Sequence, residues 1–150
     1  MSDVMILQDK QDLIVKTMVS RPNVLSDENI KNFPDNRQLI KAPAQEQIES
    51  LNQLIKIDRE QINKIKEIEV LPVDSNFLEY SKLNRQIFEK RLEDNQLSVQ
   101  KFQLILDENI TNKQQFEENI SNLRQKESEI DFAIIQLENQ LKNIRKTAGK

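Results

Sequence analysis

The sequence predicts an all-α fold: an antiparallel αα-hairpin continuing into a long coiled-coil helix, with a short N-terminal helix and a linker before it. Three observations lead there. The only glycine is Gly149, so the turn chemistry on which sheets lean is missing. The prolines Pro22, Pro34, Pro43 and Pro72 all fall in the first half, and neither Pro nor Gly occurs from Val73 to Ala148. Within that stretch, apolar residues return with a seven-residue period over about ten heptads.

Composition narrows the class further. Apolar residues make up 37% and charged residues 31%, with a net charge of -3. That balance suits a coiled coil better than a compact globule. The chain has no His and no Cys. This excludes a zinc finger, a thiol nucleophile and a histidine general base. It also fits a reducing compartment. No Gly-rich phosphate loop or calcium loop can form. The N-terminus lacks a basic leader, and no run approaches the ~20 apolar residues of a membrane span. The chain is therefore expected to be intracellular, in the cytoplasm or on the cytoskeleton or cilium rather than in the nucleus. No cofactor, metal or small-molecule substrate is expected.

The first element spans residues 1–20. Ser2 or Asp3 can cap it, and Leu7, Ile14 and Met18 recur at helical spacing as its docking stripe. Such a short helix needs a surface to rest on. That surface is the rest of the chain, a groove on a partner or, less in keeping with its balanced charge, a membrane.

Residues 21–43 read as a Pro-containing linker or arm, with Val24, Leu25, Ile30 and Phe33 as small apolar anchors. Residues 44–71 read as a second helix that opens near Pro43 and stops at Pro72. Its stripe includes Ile48, Leu51, Ile55, Ile62 and Ile65, and Asp58 interrupts it. The turn before Ser75 is short, with Asp74 as N-cap and a Val73–Leu78 hydrophobic staple. Helix 44–71 should therefore fold back on the next one.

The long helix is expected over 75–148, about 110 Å if straight. With Leu78 at a, its seam carries Phe88, Leu92, Val99, Phe102, Leu106, Phe116, Ile120, Leu123, Ile130, Ile134, Leu137, Leu141 and Ile144. A second stripe of Leu83, Ile87 and Leu97 is assigned to the folded-back helix. The seam beyond Leu106 then lacks a cover in the chain itself, which calls for a partner. Arg85, Asn95, Asn109, Lys113 and Glu127 are polar seam positions that can set register and partner. Bulky Phe residues at d, with Ile105 and Ile110 widening the seam, favour a heteromeric helical bundle over a parallel homodimer. The end of the chain carries Lys142, Arg145, Lys146 and Lys150 with no acid beyond Glu138. This basic tip compensates a helix dipole or makes a weak, salt-sensitive contact with an acidic surface. Net charge and the lack of interleaved aromatics argue against nucleic acid as the main partner. Paired carboxylates such as Glu117 and Glu118 sit on a solvated face with no pocket to activate them.

A helix, a loop, a second helix ending in Leu-Pro and then a long coil is similar to the hinge-forming subunits of the Mediator middle module. The resemblance lies in Gln61-Ile62-Asn63-Lys64 followed by Leu71-Pro72, and the matching stretches cover about a third of the chain. It implies an adaptor in a nuclear complex, and no residue role is transferred on it. The residues themselves favour a non-enzymatic structural subunit that assembles with other helical chains as a scaffold, tether or spacer. A cytoskeletal or ciliary assembly suits a rod. A Mediator-like or kinetochore-like adaptor is the alternative, and a vesicle-tethering or trafficking subunit is the second.

Overall fold

A computed structural model describes the backbone of residues 2–72 and 74–148, and the side chains of 5–72 and 74–146. Five helices follow one another: α1 (Ser2–Ser20), α2 (Asp27–Asn32), α3 (Arg37–Glu69), α4 (Ser75–Leu106) and α5 (Lys113–Ala148). No strand occurs among the described residues. The all-α class and the antiparallel hairpin are as the sequence predicts, with α3 and α4 as its arms. Asp74 caps α4 by accepting from the Phe77 N–H at 2.8 Å. The Val73 half of the staple, the side chains of Ser2 and Asp3, and Gly149 at the end of the long helix lie outside the described residues.

The long helix differs from expectation. It is divided at residues 107–112, and α5 runs back along α4. The cause is local. The Asp107 carboxylate accepts from the Asn109 N–H at 2.9 Å, an Asx turn that replaces a helical bond. Asn112 then accepts from the Gln115 N–H at 2.8 Å and starts a new helix. Asp107-Glu108-Asn109-Ile110-Thr111-Asn112 is thus a turn cluster that needs neither Gly nor Pro. Burial of Ile105, Ile110 and Phe116 in one core holds the reversal.

The linker is also built into the fold. Ser26 caps α2 by accepting from the Asn29 N–H. Val24, Leu25 and Phe33 are buried, and Phe33 stacks on Phe116 with ring centroids 3.8 Å apart. The Phe33–Pro34 peptide bond is cis. α3 begins at Arg37 rather than near Pro43, which lies inside it. Pro43 removes one helical N–H. The carbonyl left over belongs to Leu39, which is 82% exposed and so open to water. Ile40 and Ala44 are buried in the same core as Phe33, and that packing carries the helix through the proline.

The helices form an open row: α1 on α3, α3 on α4 and α4 on α5, with α2 against α5. Each neighbour is antiparallel to the last. Gln11 meets Asp58 and Arg21 meets Ser50. Glu69 meets Arg85, and Asn95 meets Asp58. Tyr80 meets Arg145, and Ser98 meets Glu127. One end of the row therefore gathers α2, the α4–α5 loop and the start of α3. The other gathers the α3–α4 turn and the end of α5.

Candidate interaction surfaces

The heptad seam is covered within the chain. On α5, Phe116 and Ile120 lie in the core around Ile105, and Ile134, Leu137, Leu141 and Ile144 pack on Leu83 and Ile87 of α4. Leu123 is buried and Ile130 half-buried. On α4, Leu92, Val99 and Phe102 pack with Leu51, Leu54, Ile55 and Ile48 of α3. Leu106 joins the core around Phe33. Ile62 and Ile65 are buried on α3. The two stripes of α4 therefore have the reverse of their expected neighbours. Seam residues Leu92 and Val99 meet α3, while Leu83 and Ile87 meet α5. Leu97 lines a surface depression with Ile130, and Phe88 lines one with Ile65. A heptad pattern reports that a stripe is covered, not which helix covers it.

The polar seam residues also find partners at home. Arg85 donates to Glu69 at 2.7 Å and to Glu89 at 3.0 Å. Lys101 lies 2.7 Å from Glu127, which also accepts from Ser98. Lys113 is 3.7 Å from Glu117 on the surface, and Asn109 is in the α4–α5 loop. Asn95 donates to Asp58 at 2.7 Å, and Gln11 of α1 donates to the other oxygen of the same carboxylate at 2.9 Å. Asp58 is fully buried. Burial pushes its carboxyl up to about 6, against the opposing pull of Asn95, Arg91 and Gln11. One turn further, Gln61 is fully buried with neither amide atom hydrogen-bonded.

Two further features were not visible in the sequence. Arg37 donates to the carbonyls of Ile105 at 3.0 Å and Asp107 at 3.1 Å, and also to Ile110. Its guanidinium also lies over the Phe33 ring. One side chain thus ties the start of α3 to the frayed end of α4. Between α4 and α5, burial and the neighbouring Asp131 and Glu127 raise Asp94 to about 7, partly offset by Lys101. Shifted carboxyls can mark a catalytic cleft. Asp58 is held in packed polar contacts with Asn95 and Gln11, whereas one carboxylate oxygen of Asp94 is buried without a hydrogen-bond partner. Among the described residues, no group of three metal-ligating side chains is placed to hold an ion, and no helix is long and apolar enough to cross a membrane.

The N-terminal stripe docks on the chain itself. Leu7 is buried, and Ile14 and Met18 pack on Leu51 and Leu54. Yet α1 keeps a second apolar surface. Met5, Ile6, Leu13, Val15 and Val19 are exposed on its flanks, with Leu13 67% and Val19 78% exposed and Leu13 bordering the groove between α1 and α3. At the other edge of the row, Phe132 and Ile135 of α5 are exposed, and Val70, Leu71 and Phe77 are exposed around the α3–α4 turn. The accessible surface totals 9704 Å², against about 7,900 Å² for a compact monomer of this mass. The fold and its surfaces define an all-α chain with uncovered helix faces. Comparison with protein-family models, curated proteins and solved structures finds no match for it.

Proposed function

We propose that this chain is a non-enzymatic helical subunit that assembles with other helical chains as a scaffold, spacer or adaptor. One observation carries the reading: α1 is already docked on its own chain through Leu7, Ile14 and Met18, and still leaves five apolar side chains exposed. A surface helix of a self-sufficient domain turns one apolar stripe inward and a polar face outward. A docked helix with apolar residues left exposed beyond its stripe has more surface to cover than the one neighbour in the row supplies. Hetero-assembly is favoured because the exposed residues are scattered among Asp9, Asp12, Lys10 and Lys16, which asks for a partner with its own charge pattern.

Reach bears on the setting. The ~110 Å rod that pointed to the cytoskeleton or cilium is folded back, and α5, the longest helix, spans about 54 Å. A folded row of that reach suits a helical subunit within a larger complex.

Lysine cross-linking in the protein's own cells, read by mass spectrometry, tests it. Cross-links from Lys10 and Lys16 to lysines of another chain are expected, and Leu13→Asp with Val19→Asp should remove them. Cross-links confined to this chain's own lysines would contradict the proposal.

A further inference from the structure

The α3–α4 turn end combines an apolar pocket with the basic end of α5. Phe77 and Tyr80 form a wall between two depressions. On one side a pocket of about 140 Å³ is floored by Ile65, Ile68 and Phe88. On the other, a more open depression reaches Ile144 and Arg145 of α5. A cavity of roughly 150 Å³ lined by apolar side chains is large enough for a benzene ring. Phe77 is 39% exposed at the mouth, and Leu71 is exposed beside it.

Charge is brought to this pocket by the fold. Arg145 donates to the Tyr80 hydroxyl at 2.6 Å and lies over its ring, 5.4 Å from the centroid. That contact seats the last turns of α5 beside the pocket. Arg145 lines the open depression, and Lys142 and Lys146, within one turn of it on α5, are exposed, with no acid on α5 beyond Glu138. Two acids at this end are engaged: Asp74 caps α4, and Glu69 pairs with Arg85. Glu67 and Glu79 remain exposed, so the positive surplus rests on the α5 cations.

The geometry points to a docking site for an acidic peptide segment of a partner, one that inserts a single bulky apolar side chain between Phe77 and Phe88 and lays flanking carboxylates on Lys142 and Lys146. Charge complementarity selects this occupant. A nucleic-acid backbone supplies charge without an apolar anchor for the pocket. A helix- or strand-borne Leu or Phe with acidic neighbours supplies both. The inference deepens the proposed function and rests on it in one respect, that the chain acts by binding other proteins.

Selection of random dodecapeptides displayed on phage against the full chain tests it. The expected winners carry an aromatic residue or Leu flanked by Asp or Glu. Synthetic copies should bind at least tenfold more weakly to Phe77→Ser and to the Lys142→Glu/Lys146→Glu double variant, and several-fold more weakly when salt is raised. Helical circular dichroism of both variants should match the parent, since all three side chains are exposed. Winners without net negative charge, winners indifferent to these variants, or no enrichment would overturn the proposal. So would flotation with phosphatidylserine vesicles that is lost in Phe77→Ser, because it assigns the pocket to lipid. The α1 cross-links read a different surface: they persist if only the turn-end site is wrong, and they vanish while peptides still bind if only the α1 reading is wrong.

Discussion

Asn95 and Asp58 meet across the α3–α4 interface at 2.7 Å, and Gln11 completes the carboxylate from α1. A single buried acid thus joins three helices. Its folded carboxyl holds a proton up to about pH 6, whereas an unfolded Asp releases it near ~4. Between those values the native chain binds more protons, so stability falls as pH rises through the window and levels off above it. The displacement corresponds to about 3 kcal/mol. Asp94 acts in the same direction with its limit near 7, at a partly solvated site where screening reduces the effect. The urea midpoint should be higher at pH 5 than at pH 7.5, and Asp58→Asn should remove part of that difference, the remainder belonging to Asp94. A midpoint that rises with pH over this range, or an unchanged slope in Asp58→Asn, contradicts this assignment.

Arg37 replaces a helix C-cap with a guanidinium. Its bonds to the Ile105, Asp107 and Ile110 carbonyls cannot all be reproduced by an ammonium. Arg37→Ala should cost about 2–3 kcal/mol in urea unfolding, and Arg37→Lys should recover less than half. Equal stability of Arg37→Lys and the parent would show that charge alone is what matters there.

Phe116 and Phe132 share α5 and differ in surroundings. Phe116 is fully buried against Phe33, whereas Phe132 is 62% exposed. Phe116→Ala should destabilise by about 3–5 kcal/mol. Phe132→Ala should stay within about 0.5 kcal/mol. Similar losses at both positions would place α5 in a different rotation.

Asn112 is the start signal of α5 through its bond to the Gln115 N–H. Asn112→Ala should cost about 1 kcal/mol, measured by the same unfolding midpoint. Its loss should leave the helix count unchanged, because Ile110 and Phe116 still anchor the loop in the core. A longer, continuous helix on circular dichroism and small-angle scattering would show that the cap itself creates the break.

Much of this fold is legible in the sequence, and the reasons are local. Asp74 and Pro72 mark the hairpin turn because caps and breakers act within a few residues. The apolar stripes of α1, α3, α4 and α5 correspond to buried or half-buried faces. What the heptad count hides is the reversal at Asp107–Asn112, since a frame that tolerates polar seam residues also runs through a loop. The turn cluster there was the available signal. The neighbour of each stripe was not legible, because Leu83 facing α5 and Val99 facing α3 depend on where the chain reverses. Nor could Asp58 be matched to Gln11 and Asn95, which lie 47 and 37 residues away. The exposed apolar residues of α1 were present in the sequence, but their exposure follows from which stripe docks.

The reversal between α4 and α5 is the central structural claim, since it turns a rod seeking a partner along its seam into a row with free edges. The chain has no native cysteine, so Lys82→Cys and Lys142→Cys can carry spin labels without competing sites. Both positions are exposed, and they flank the contact of Tyr80 with Arg145. Pulsed electron–electron dipolar spectroscopy should give a narrow distribution centred near about 20–30 Å, the reach of two labels across adjacent helices. A continuous helix would set the same labels about 90 Å apart, and loss of the short-distance signal would contradict the folded-back row.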